Sequence, residues 1–203
     1  MPGDRDLHGQ QEVLRHVREL LAAGRSVLLL GPEAIGKSTL IAAMADNAHT
    51  VIDPFDHISR QRACEFRRAL DRGSVILAAA RTLERHQLGA VGRILWRFTI
   101  VRVRPLSPHA LRRILLDELG SFGHDAEAGW IRDIVALAQG RPGFASAMGR
   151  FAQIWRNQHG YLPMPEFAFA TVREGAVLRA LQDTHQAAGR ERRDGLHSRV
   201  PGF

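Results

Sequence analysis

Lysine is nearly missing from this chain: of its 203 residues 28 are basic, and all but Lys37 of these are arginine. Cysteine is equally scarce. Cys64 has no second cysteine to pair with, so an intramolecular disulfide is excluded, a reducing compartment is the natural setting, and Cys64 reads as a small buried apolar side chain. No run approaches the roughly 18 apolar residues of a membrane span. The charged start Met1-Pro2-Gly3-Asp4-Arg5-Asp6 lacks the apolar stretch of a secretory signal. These absences point to a cytoplasmic protein with no membrane partner. Hydrophobic residues make up 45% of the chain, which excludes a disordered chain, and the length fits one α/β core with a smaller module attached.

The single lysine lies in the most informative stretch. Ser26-Val27-Leu28-Leu29-Leu30 is too short for a helix and apolar throughout, as a doubly buried strand is. Gly31-Pro32-Glu33-Ala34-Ile35-Gly36-Lys37-Ser38 follows directly, and an apolar helix is expected over 39–45, beginning at Thr39. This is G-x-x-x-x-G-K-S between a strand and a helix, the setting in which that pattern cradles phosphate. Its glycines let successive N–H groups turn toward an oxyanion, and the helix N-terminus adds partial positive charge. Lys37 is expected to reach the β- and γ-phosphates of a nucleotide and the Ser38 hydroxyl to bind Mg²⁺.

Around this loop the chain alternates. Helical spacing runs over 10–23 and ends at Gly24; strands are expected at 50–53, 74–79 and 98–103, and helices at 57–72 and 83–96. Such alternation implies an α/β fold, a three-layer P-loop NTPase core whose parallel sheet binds its ligand at the carboxyl ends of the strands. Beyond Pro105 only helical patterns remain, at 107–119, 126–138, 143–157 and 166–183, so a small all-helical lid is expected at the C-terminal side. The organisation read from this is a nucleotide-binding domain over 1–104, a lid over 105–183 and a polar tail over 184–203, expected to be flexible.

In this order the motifs resemble those of the AAA+ ATPases and the related STAND ATPases, over about residues 5–155. His8-Gly9-Gln10 is similar to the segment that packs near adenine. Val51-Ile52-Asp53 resembles a Walker B strand, which implies that Asp53 acts on Mg²⁺ together with Ser38. Arg81, beyond the strand ending at Ala79, resembles the sensor 1 arginine of the STAND type. Arg97-Phe98 is similar to the pair that presents an arginine finger to a neighbouring subunit, with Arg93 as the other candidate. Gly140-Arg141-Pro142 resembles the Gly-x-Pro of STAND proteins, which implies that Arg141 sits near the nucleotide. Two departures stand out. Pro54 follows Asp53 where a catalytic glutamate is usual, leaving Asp56 as the nearest carboxylate. Only 16 positions separate Lys37 from Asp53, too few for the usual extra strand and helix, so either the core is trimmed to about four strands or Asp53 ends a different strand.

The resemblance implies ATP and Mg²⁺ as cofactors, an ATPase of weak or partner-stimulated turnover, and a homo-oligomer if Arg97 acts between subunits. Residues 60–113 hold 13 arginines against Glu65, Asp71 and Glu84. That excess suits the phosphates of duplex DNA, or else solvated helix faces and intersubunit ion pairs; a protein partner is the other possibility for the chain. Small bacterial relatives with such a lid serve DNA transposition or replication as assembly factors. The expected function is therefore a nucleotide-dependent oligomerising switch. The alternatives are a nucleotide-binding scaffold without hydrolysis and a small-molecule P-loop kinase.

Overall fold

A strand covered on both faces needs an apolar residue at every position, and Val27–Leu30 meets that demand with all four side chains buried. In the computed structural model, which describes residues 9–55, 58–84, 92–124 and 128–175, this strand (β1) lies inside a four-stranded sheet. β3 (Ile76–Ala80) and β4 (Thr99–Arg102) flank it, β2 (Thr50–Ile52) is the edge beyond β3, and every pairing is parallel. The short spacing between Lys37 and Asp53 thus reflects a trimmed sheet in which the Asp53 strand is itself the edge. Register pairs Leu30 with both Ala80 and Arg102, and Ile52 with Ala78. Gly31, Asp53, Arg81 and Val103 consequently emerge along one rim.

Alternate side chains of the strands feed two cores. On one face Val27, Leu29, Leu77, Ala79 and Val101 meet α1 (Gln11–Ala22) and α2 (Lys37–Ala42) through Val17, Leu20, Leu21, Leu40 and Ile41. On the other, Leu28, Leu30, Ile76 and Ala78 meet α3 (Arg60–Asp71) through Ala63, Phe66 and Leu70, with Phe55 and Phe98 packed edge to face at 5.1 Å. α1 stops where expected. Gly24 takes φ +72°, and the Gly24 and Arg25 amides close the last turn onto Leu21 and Leu20 oxygens at 2.9 and 3.0 Å.

Cys64, expected to be buried, is exposed on α3, whose buried face is Ala63, Phe66 and Leu70; two helices also differ from expectation. The one expected over 39–45 begins earlier, at Lys37, and ends at Ala42, with a 3-10 turn following at Ala45–Asn47. Of the one expected over 83–96, residues 85–91 lie outside the described residues, and Leu95–Arg97 is a 3-10 turn. Extended backbone has to begin at Phe98, because the Thr99 amide already bonds the Ser26 carbonyl at 2.8 Å.

After β4 the described residues form α4 (Pro108–Leu119), α5 (Ala128–Ala138), α6 (Pro142–His159) and α7 (165–175), and 176–183 of the helix expected over 166–183 lie outside the described residues. Ser107 caps α4 by accepting the Ala110 amide at 3.2 Å. These helices share a core of their own around Leu111, Leu115, Leu119, Ile134, Met148 and Ala152. The expected polar tail over 184–203 lies outside the described residues. Among the described residues no helix is long and apolar enough to cross a membrane.

The turn into α6 is tied to the strand exit. Gly140, at φ +77°, accepts the Leu106 amide at 2.8 Å, and a Cβ there would sit 2.4 Å from the Pro105 Cβ. Gly160, at φ +82°, has nothing within 4 Å. Gly160→Ala therefore costs only backbone strain, about 1 kcal/mol, whereas Gly140→Ala adds a collision and costs roughly 3 kcal/mol or more. Urea midpoints of the two variants check the contrast.

Candidate nucleotide site

The loop between β1 and α2 winds tightly because two of its residues, Ala34 at φ +60° and Gly36 at φ +96°, adopt left-handed backbone. Gly36 has a further reason to lack a side chain: a Cβ would come within 2.8 Å of the Gln10 amide nitrogen. Gln10 is buried and donates through Nε2 to the Ile35 carbonyl at 2.9 Å, while Ile35 is wholly buried in the core below. The left-handed turn is thus braced from behind by one polar and one apolar contact. Pro32 and Glu33 are exposed on its outer arc.

Inside the loop, Lys37 is 9% exposed and its ammonium donates to the Gly31 and Pro32 carbonyls at 2.6 and 2.8 Å. One residue on, Ser38 Oγ donates to Asp53 Oδ2 at 2.5 Å. The edge strand β2 delivers that carboxylate, because Ile52 pairs with Ala78 and the next residue reaches the rim beside the loop. A hydroxyl and a carboxylate are hard oxygen donors, too few to cage a cation alone. They suit Mg²⁺, which keeps waters and draws further ligands from phosphate.

The helical module closes over this loop. The Gly143 amide, in the first turn of α6, donates to the Ala34 carbonyl at 2.9 Å, and a Cβ on Gly143 would meet Ala34 atoms at 3.0 to 3.1 Å. Between module and loop lies a cavity of about 400 Å³. Its floor is Ala34 to Thr39, its apolar wall includes Leu106, Ile114 and Pro142, and a polar cluster of Glu118, Ser146 and Arg150 completes it. Gln10 also lines it.

Neither a protein-family model nor a curated protein matches the chain. Solved structures do. Two point variants of RuvB from Thermotoga maritima superpose with a TM-score of 0.55 at 15% identity, over 83% of this chain and 70% of theirs. The same organism's RuvB Holliday junction branch migration motor gives 0.51 at 15% identity, over 81% and 68%. The chain shares the fold of these structures, a P-loop NTPase core of parallel sheet and flanking helices followed by a small helical lid.

Within this fold the arginines named from the sequence are dispersed, and none of Arg81, Arg97 and Arg141 lines the cavity. Arg81 is exposed on the rim just past β3. Arg141 precedes the first turn of α6 and lays its guanidinium 5.5 Å from the Phe144 ring centre. Arg97 lies at the opposite, amino end of the sheet, four strand residues or about 13 Å from the loop side. There it forms an ion pair with Asp71 and stacks 4.8 Å from the exposed Trp96 ring, beside a second cavity of about 330 Å³. Arg93 is exposed nearby in sequence, and Asp56 lies outside the described residues. Pro54 leads into Phe55, which is wholly buried, so neither position supplies a carboxylate beside Asp53.

Glu118, Ser146 and Arg150 carried no motif. Their only sequence trace is the i, i+4 spacing of Ile114 with Glu118 and of Ser146 with Arg150, which puts each pair on one helix face without saying that the faces meet. Gly143→Ala is expected to push α6 off the loop, at a cost of about 1 kcal/mol, roughly that of a lost hydrogen bond. Hydrogen exchange at the residue 143 amide should rise several-fold, and unchanged exchange would mean that the contact is not what seats the module.

Proposed function

We propose that the chain binds ATP with Mg²⁺ and works as a nucleotide-dependent oligomerising switch, an ATPase whose turnover is weak or stimulated by a partner. The observation that carries this reading is the buried Lys37 ammonium inside the loop with the Ser38–Asp53 pair at 2.5 Å beside it. Phosphoryl transfer is catalysed by positioning and by charge, and this arrangement offers both. Amides of Glu33 to Thr39 would hold the phosphates, Lys37 would neutralise the β- and γ-oxygens, and Ser38 and Asp53 would hold the cation. Mg²⁺, when bound, supplies further neutralisation of charge at the transferring phosphoryl group. Arg81 at the rim would add cationic charge, and Arg141 would act from the lid side.

The amino-end location of Arg97 favours action on a neighbouring subunit's nucleotide rather than on its own. Asp71 and Trp96 would hold it until subunits meet. The exposed arginines of 60–113, among them Arg60, Arg67 and Arg68 on α3 and Arg102, Arg104 and Arg112 beyond it, support duplex DNA as the track, with a protein partner as the other outcome. Transposition or replication is the process class that the resemblance suggests. Pro54 and the buried Phe55 favour a second reading, a nucleotide-binding scaffold without hydrolysis, because no carboxylate next to Asp53 orients water.

Sedimentation with Mg²⁺ and ATP, ADP or a non-hydrolysable analogue, each with and without duplex DNA, tests the switch. Assembly is expected with the triphosphate and not with ADP, and Lys37→Ala should abolish it. A monomer under every condition would remove the switch reading. Specific turnover should rise with protein concentration and fall at least about a hundredfold in Arg97→Ala; unchanged turnover would move the finger to Arg93 or eliminate it. Binding to DNA should weaken linearly with the logarithm of salt concentration.

A further inference from the structure

The wall of the cavity opposite the phosphate loop carries a carboxylate, and a carboxylate facing a polyanionic ligand needs a reason. Glu118 is on α4 and Ser146 and Arg150 are on α6, and the two helices cross so closely there that a Cβ on Gly149 would lie 2.8 Å from the Glu118 Cβ. The crossing pins the backbone at Glu118. Ser146 Oγ and Arg150 Nη1 both donate to one oxygen, Glu118 Oε1, at 2.5 and 3.0 Å. Among the described residues nothing donates to Oε2. The side chain is 23% exposed and that of Arg150 54%, and an ion pair so accessible adds little stability. Its effect on the cavity is clearer: Arg150 cancels the charge that would repel phosphate, Ser146 fixes the rotamer, and one acceptor stays open.

We infer that Glu118 is the group that selects the nucleoside half of the bound nucleotide, Oε2 accepting a hydrogen bond from a donor on it, that Ser146 is its positioning residue and that Arg150 offsets its charge. This rests on the cavity being a nucleotide site. Phosphates belong at the Lys37–Thr39 end, and the flat base has an apolar slot against Leu106, Ile114 and Pro142. The one polar cluster of the lid wall then falls to the nucleoside. A carboxylate oxygen accepts only, so the ligand must present N–H or O–H, as the exocyclic amino group of adenine and the ribose hydroxyls do. Charge-assisted bonds of this kind are the strong ones, and losing the acceptor leaves a ligand donor unmet.

Binding of ATP, inosine triphosphate, 2′-deoxy ATP and inorganic tripolyphosphate to the full chain tests this by calorimetry. Glu118→Gln keeps the shape and an oxygen for Ser146 and Arg150 but puts a donor where Oε2 stood. It should weaken ATP about tenfold and tripolyphosphate less than twofold, with the thermal midpoint held. If the loss is absent for inosine triphosphate, Oε2 reads the amino group; if absent for 2′-deoxy ATP, it reads the ribose. Arg150→Met breaks the ion pair yet keeps the carboxylate, and should retain most of the preference for ATP over tripolyphosphate. A preference that Glu118→Gln leaves intact, or that Arg150→Met removes equally, overturns the inference. If wild-type chain binds neither ATP nor tripolyphosphate, it is the nucleotide reading itself that fails.

Discussion

Burying an ammonium group is costly unless its donors are met, and the Gly31 and Pro32 carbonyls meet those of Lys37 at 2.6 and 2.8 Å. For the loop to bring carbonyls inward there and amides inward further on, Ala34 and Gly36 must take left-handed backbone, and that shape has to be braced. Gln10 braces it through the Ile35 carbonyl, Ile35 by filling the core beneath, and Gly143 by bonding the Ala34 carbonyl from the helical module. Three distant parts of the chain converge on one turn. The contact between module and sheet is therefore made at the phosphate loop itself, so whatever changes the loop also changes the seat of the module.

The trimmed sheet adds a second constraint. With β2 at the edge, Asp53 is supplied by a strand of three residues paired on one side only, and its position depends on the Ile52–Ala78 register and on Phe55 anchoring the chain just beyond. Phe55 is packed against Phe98, which directly follows Arg97. The aromatic pair thus couples the exit of the Asp53 strand to the entry of β4. The carboxyl rim of the sheet collects the loop, the Ser38–Asp53 pair and the module, while the amino end holds Arg97 with Asp71 and Trp96. A short parallel sheet separates the two by its own length, which is why one chain offers a loop-floored cavity at one end and a guanidinium at the other.

Much of this was legible in the residues. Val27–Leu30 reads as a doubly buried strand because nothing polar interrupts it, and Gly24, Ser107 and Pro108 mark helix ends because each has a local physical role. The loop was legible for the same reason: its motif is contiguous, and glycine spacing expresses backbone geometry directly. The segment around Leu95–Arg97 was not. Its apolar spacing suits an α-helix, yet the demand that Thr99 bond Ser26 is a tertiary one, and it tightens the chain into a 3-10 turn. The start of α2 at Lys37 was also hidden, since helical pairing begins inside the motif.

By itself, the sequence determined the α/β class, the phosphate loop and the succession of sheet and helical module, because those follow from burial patterns and backbone preferences within a few residues. Only the tertiary structure decided that Asp53 meets Ser38, that Gly143 seats the module on Ala34, and that Glu118 joins Ser146 and Arg150 across the cavity. It alone set Arg97 apart from that cavity. Each of these is a meeting of residues many positions apart, and such meetings depend on register, helix crossing and close approach at glycine, none of which a local pattern encodes.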